Sequence, residues 1–338
     1  MRFMTAFSRP LSISKVENLS KASVTWLNID ESSEGQRIDN FLAKHLKGVP
    51  KSHLYRILRS GEVRVDKKRV DATHRLRLGE VLRLPPVRVG ARPETAQAPI
   101  PTASRLVPRI IYQDEALLVI DKPSGMAVHG GSGVSRGVIE QLRLELPDAK
   151  FLELAHRLDR ETSGVLLLAK KRSALVELHS MMRDGAHKMD KRYLALVNGK
   201  WLNARQSIRF PLLKFHTAEG ERRVAVSPEG QTAHTIFNLK KTWPGFSLLE
   251  AELKTGRTHQ IRVHLAHSGF PIAGDDKYGD FALHRELHKR GLKRMFLHAY
   301  KITLRHPLSG EQLVLEAPLP DELQHFLNKL DNNPGNLR

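Results

Sequence analysis

The sequence predicts an α+β fold: a mainly antiparallel mixed sheet carrying helices, preceded by a small basic α/β module. Three observations predict it. Segments of strand character outnumber helical ones, and the two do not alternate regularly, which argues against a doubly wound parallel sheet. Positive charge is concentrated early: Gly35 to Gly90 holds 14 Lys and Arg against 5 Asp and Glu, just under half of the net +19 of the 338 residues. Pro85, Pro86, Pro93, Pro99 and Pro101 then crowd a stretch of little periodicity, as a semi-rigid connection does. The expected organisation is a flexible tail over 1–33, the basic module over 34–90, a linker over 91–104 and a large domain over 105–330.

In the module, Ile38, Phe41, Leu42 and Leu46 fall at helical spacing, and Gly48 and Pro50 end that helix. A second helix carries Leu54, Ile57 and Leu58 inward and stops at Ser60-Gly61. Glu62 to Asp66 alternates at period two, as a half-buried strand does, and Val81 to Leu84 reads as another strand. Lys51, Arg56, Arg59, Lys67 and Lys68 would project from the second helix and the turn after the strand, a pattern suited to a phosphate backbone.

The large domain opens with strands at Arg109–Tyr112 and Ala116–Asp121, then a turn at Asp121-Lys122-Pro123-Ser124-Gly125 and a plain flexible loop at Gly130-Gly131-Ser132-Gly133. A strand from Val165, a helix at about Ser173 to Arg183, strands at Lys191–Val197 and Phe246–Leu253, a turn running into a helix from Lys254 to His264, and a last helix from Pro320 follow. The face of that last helix is Leu323, Phe326, Leu327 and Leu330.

Composition narrows the function. The positive balance calls for a polyanionic partner, nucleic acid before an anionic membrane surface. Aromatic content of 6% is low for a protein that stacks many bases, so phosphate contacts should dominate affinity. The chain has no cysteine, which removes disulfides, thiolate zinc sites and a cysteine nucleophile. No apolar run reaches the ~20 residues a membrane span needs. The first 21 residues lack the apolar block of a secretory signal, so a cytoplasmic location is expected.

One stretch concentrates the chemistry: Ala155-His156-Arg157-Leu158-Asp159-Arg160-Glu161-Thr162-Ser163-Gly164, leading into Val165-Leu166-Leu167-Leu168-Ala169. Asp159 sits among His156, Arg157 and Arg160, ahead of a strand-like apolar run that would anchor it. Neighbouring cations favour an ionised carboxylate, suited to act as a nucleophile rather than as a proton donor. On spacing alone, a surface ion-pair loop ahead of a core strand explains the pattern about as well.

The contiguous His-Arg-Leu-Asp-Arg-x-Thr-Ser-Gly resembles the catalytic signature of the RluA-type pseudouridine synthases. Asp-Lys-Pro-Ser-Gly at 121–125, Lys-x-Tyr-Leu-Ala at 191–195 and Thr-Gly-Arg-Thr-His-Gln-Ile-Arg-Val-His at 255–264 follow the same family in the same order. The segment Gln36 to Leu42, with the helix and Gly-Glu-Val-Arg-Val after it, resembles a small RNA-binding domain first recognised in a small-subunit ribosomal protein. The resemblance implies isomerisation of uridine to pseudouridine in large-subunit ribosomal RNA, with no cofactor and no metal. It implies Asp159 as nucleophile, Tyr193 against the target base and Arg257 as the basic partner of the aspartate. Arg157 would fill the space of the displaced nucleotide, and Ile261 would also contact the substrate. A monomer is the expected state.

Two other classes compete. A noncatalytic RNA-binding assembly factor would need only the basic module. A glycosylase or nuclease built on Asp159 would call for a second positioned carboxylate or a metal cluster. His259, His264 and His267 cluster on one expected helix but lack the His-Glu-x-x-His pattern, so a structural or RNA-facing role is expected of them rather than a metal site.

Overall fold

The computed structural model describes residues 11–12, 23–46, 49–87, 104–130, 136–184, 188–218 and 220–332. The chain divides into two compact units, 1–100 and 101–338. The expected Pro-rich linker lies, apart from Ser104, outside the described residues, as does most of the Gly-rich loop after His129.

In the first unit, helices α1 (Ile38–His45) and α2 (Lys51–Arg59) bury the faces their spacing predicts: Ile38, Phe41 and Leu42 on one, Leu54, Ile57 and Leu58 on the other. They share a core with a four-stranded sheet. Its strands are β1 (Leu11–Ser12), β2 (Thr25–Asn28), β3 (Arg64–Val65) and β4 (Val81–Leu84), in the order β1-β2-β4-β3. The tail expected over 1–33 is therefore corrected at its end. β2 pairs antiparallel with β4, and Leu27 and Ile29 are buried, so these alternating residues complete the module's core. The expected strand at Glu62–Asp66 shortens to β3. Gly61 before it has φ +72°, and Asp66 and Lys67 after it have φ 46° and 66°, closing a tight turn in which Val65 and Lys68 exchange backbone hydrogen bonds.

The second unit is a ten-stranded, mainly antiparallel sheet with helices on it, as expected. Strands β5 (Ile110–Gln113), β6 (Leu117–Lys122), β7 (Glu153–Leu154) and β8 (Ser163–Ala169) form one side. β9 (Met189–Asn198), β10 (Arg205–Ile208), β13 (Thr235–Trp243) and β14 (Phe246–Leu253) form the other, and β11 (Leu212–His216) with β12 (Arg222–Val226) makes a separate hairpin. Strand β15 (Leu297–Arg305) lies between the halves, parallel to β8 and antiparallel to β9, and β16 (Gln312–Glu316) pairs with it.

Every residue of β8 is buried, as in a strand covered on both faces. Leu166 and Leu168 pack with α3 (Val138–Glu145) and α5 (Gln260–His267), while Val165 and Leu167 pack with α4 (Arg172–Asp184). Helices α6 (Phe281–Lys289) and α7 (Asp321–Asn332) close a further cluster through Leu287, Leu323, Phe326, Leu327 and Leu330. Gly164 of β8 lies directly against β15. Its φ is +111°, and a Cβ there would lie 2.2 Å from the Ala299 carbonyl oxygen, so only glycine admits this crossing.

Candidate active site

The loop 155–162 leaves β7 and enters β8, and its backbone is bound from several directions. Lys122, at the end of β6 and fully buried, donates from Nζ to the carbonyls of Pro123 and Met126 at 2.8 Å and of Arg160 at 3.1 Å. Burial pushes the Lys122 amine down to about 7, while three acceptors, one for each hydrogen of an ammonium, oppose that. The Gly125 N–H donates to the Arg160 carbonyl, and Arg160 Nε donates back to the Gly125 carbonyl. Ser124 Oγ and Arg294 Nη2 both donate to the Glu161 carbonyl. The turn at 121–125 is thus a clasp on the loop that carries Asp159.

Of the three cations expected around Asp159, His156 is held neutral. Its Nε2 accepts the Leu167 N–H at 3.1 Å, and burial lowers it to about 3. Arg160 turns to Gly125 and to Glu161, and Arg157 is exposed at the rim of the cavity.

The cation against the nucleophile candidate comes from α5, and it is not Arg257. Arg257 is exposed. Its backbone N–H donates to Gln260 Oε1 and its Nε to the Thr232 carbonyl. Gln260, buried beside it, also binds Thr255, His234 and Thr235, which fixes the turn and leaves Arg257 on its outside. Arg262, one turn into the helix, places Nη1 3.5 Å from Asp159 Oδ2. Its Nε and Nη2 form a two-pronged pair with Asp275 at 2.8 and 2.7 Å, and its guanidinium lies 5.0 Å from the centre of the Tyr278 ring. The expected pairing of Arg257 with Asp159 is corrected accordingly. The signal for Arg262 was present: Gln-Ile-Arg-Val-His-Leu-Ala is apolar on most sides of a helix, and an arginine buried there must meet a carboxylate.

A cavity of about 650 Å³ opens here, lined by Asp159, Tyr193, Arg262, Ile261, Arg157 and Arg257 among others. Asp159, Tyr193, Arg157 and Ile261 thus share one cavity. Tyr193, on β9, is buried, and burial together with the charge of Asp159 raises its phenol well above the ordinary value. Its phenol is therefore neutral at ordinary pH, which suits packing better than taking up a proton. Lys191, two residues before it, also lines the cavity, and burial lowers its amine. His264 is structural, bound to Thr235 Oγ1 and the Phe210 carbonyl, and His267 packs edge-on to Phe210. Among the described residues, no group of three or more His, Asp or Glu is placed to hold a metal, and no helix is long and apolar enough to cross a membrane. Lys51, Arg56, Arg59, Lys67 and Lys68 are all exposed on the first unit.

A carboxylate against a buried arginine in a cavity that a buried tyrosine also lines, on a mixed sheet, in a chain that also carries a basic module, fits an RNA base-modifying enzyme. The chain belongs to the pseudouridine synthases of RluA type. Residues 116–267 match the RNA pseudouridylate synthase family, and residues 36–82 match the S4 domain. The chain is 50% identical over 320 residues to ribosomal large subunit pseudouridine synthase C of Pasteurella multocida, covering 94% of this chain and 97% of that one. It is 51% identical over 313 residues to the enzyme of the same name from Escherichia coli K12, covering 92% and 98%. Among solved structures it resembles human RNA pseudouridylate synthase domain containing 4, with a TM-score of 0.54 and 26% identity over 67% of this chain and 94% of that one.

Proposed function

We propose that this protein converts uridines of large-subunit ribosomal RNA to pseudouridine, with Asp159 as its nucleophile. The observation that carries the reading is the Asp159 carboxylate in the cavity, with Arg262 on one oxygen and the Tyr193 ring in the same wall. In the reaction uracil leaves its bond to the ribose through nitrogen, turns, and rejoins through carbon five, whose hydrogen is lost. Atoms are rearranged with no net oxidation and no group donated, so the chemistry calls for no cofactor. A carboxylate can add to the anomeric carbon, promote elimination of uracil or add to the ring, and each route needs it ionised.

Arg262, against one Asp159 oxygen, fixes the plane of the carboxylate. Tyr193 offers a flat apolar face for the uracil, and Ile261 packs beside it. Arg157, at the rim, is placed to offset the few kcal/mol needed to take a nucleotide out of its stack. Arg257 serves as a rim cation for the RNA backbone. Lys51, Arg56, Arg59, Lys67 and Lys68, in the first unit, supply phosphate contacts. The reading takes the protein to act as a monomer in the cytoplasm, where its ribosomal RNA substrate would be met.

The test uses unmodified large-subunit ribosomal RNA bearing tritium on carbon five of its uracils. Wild-type protein should release tritium to water without free uracil. Asp159→Ala should release none while binding the RNA with nearly unchanged affinity, because binding is spread over many cations. Release by Asp159→Ala would remove Asp159 from the nucleophile's role. Tight binding with no release by the wild type would favour a noncatalytic factor.

A further inference from the structure

We propose that His259 is a positioning residue for Asp159, donating a hydrogen bond from Nε2 to Oδ1 while Arg262 holds Oδ2, with Tyr278 fixing which ring nitrogen carries the proton. The proposal rests on Asp159 being the nucleophile. His259 caps the N-terminus of α5 and lines the cavity. Its backbone is left-handed, with φ 53° and ψ 21°. A residue with a Cβ costs energy there, and such conformations persist where surrounding contacts impose them. Here the contacts aim the ring: Nδ1 lies 2.7 Å from the Tyr278 hydroxyl, and Nε2 lies 3.8 Å from Asp159 Oδ1.

The hydrogen bonding at Tyr278 selects the tautomer. The Val224 N–H donates to the phenol oxygen at 3.1 Å. The phenol's own hydrogen still needs an acceptor, and Nδ1 at 2.7 Å supplies one. A neutral imidazole has one N–H, so its proton sits on Nε2, the nitrogen that faces the carboxylate. The groups facing the ring support the neutral form. Burial lowers its basicity; Asp159 in the loop and Asp275 oppose this, while Arg262 on α5 and Lys277 in the turn after it reinforce it. The 3.8 Å separation is longer than a formed hydrogen bond, and closes when substrate fills the cavity, as catalytic hydrogen bonds commonly do. With both oxygens then held, the carboxylate keeps one plane throughout the attack.

Asparagine tolerates left-handed backbone but is too short to bridge Tyr278 and Asp159, so His259→Asn removes the contact and spares the turn. Single-turnover tritium release with this variant should show kcat down about 100-fold, the scale of a misplaced reacting group, with KM and the unfolding temperature unchanged. Nitrogen-15 spectra of histidine-labelled wild-type protein, assigned by the signal missing in the variant, should show Nε2 protonated and Nδ1 not. In Tyr278→Phe that preference should be lost, and kcat should fall with it. Should His259→Asn not fold, His259→Gln supplies the assignment, and the wild-type tautomer decides.

An unchanged kcat, a loss confined to KM, or a proton on Nδ1 would overturn the proposal. Asp159→Ala runs beside these. If it keeps activity, the nucleophile reading fails and takes this one with it. If it is inactive while His259→Asn is fully active, only the role of His259 falls.

Discussion

Arg262 Nη1 lies 3.5 Å from Asp159 Oδ2, a looser contact than that arginine makes with Asp275. Asp275 holds the same guanidinium through two short hydrogen bonds, so Arg262 is fixed from behind and presents a spare edge to Asp159. A single donor on an oxygen leaves that oxygen a lone pair, so Asp159 can be held in place and still be available to bond elsewhere.

Arg262→Gln should therefore lose both chemistry and stability. We expect kcat to fall by about 100-fold or more, as when one donor to a reacting centre is removed. Stability should fall by about 3 kcal/mol, because buried Asp275 loses its partner. Arg262→Lys keeps the charge without the fork and should recover little of either. Arg257→Gln leaves the Arg262–Asp159 contact in place and should change KM more than kcat. Tritium release and urea unfolding measure each.

The same pair sets a response to acid. Burial works to raise Asp275, but hydrogen bonds and charge from Arg262 outweigh it and hold the carboxyl below the ordinary range. A group lowered on folding contributes stability that is full above its unfolded pKa of about 3.9 and is lost as pH falls through the folded value. In Arg262→Gln that contribution disappears and burial dominates. Its acid unfolding should begin at higher pH than that of the wild type, as followed by circular dichroism.

Lys122→Met preserves the length of the side chain and removes its three donors. The carbonyls of Pro123, Met126 and Arg160 lose their common partner, and stability should drop by about 3 kcal/mol. Arg160 directly follows Asp159, so kcat should fall more than KM rises in the folded fraction.

Lys67 is exposed at φ 66°, a conformation that asparagine adopts readily. Lys67→Asn should leave the unfolding temperature unchanged or raised, weaken RNA binding, and reduce the slope of log affinity against log salt by about 1. An unchanged slope would show that this turn does not touch phosphate.

Much of the fold was legible because packing and local pattern agreed. The faces of α1, α2 and α7 follow helical spacing, and β4 and β14 match their expected bounds. β2 was missed because Thr25 to Ile29 is a short alternation beside a polar segment, and its core contact, Leu82, lies more than 50 residues away. Within the site, Asp159 and Tyr193 could be placed from contiguous motifs. Arg262 could not be told from Arg257 by motif order alone. The difference lies in where helix α5 begins: Gln260 anchors the turn, leaving Arg257 outside it and Arg262 inside. His259 depends on Tyr278 and Val224, whose nearness to it only the folded chain reveals.

The central place of β15 bears on how the protein is made. The strand next to Asp159 and the strand bearing Tyr193 do not pair with each other; β15, from Leu297, is the neighbour of both. A chain emerging from the ribosome has Asp159, Tyr193 and Arg262 before it has the strand that joins their sheet halves. Until then it is two part-sheets, each with an open edge, and Gly164 lacks the backbone it was shaped to meet. The enzyme therefore becomes competent late in its own synthesis, and any lesion that delays β15 exposes two edges to aggregation at once.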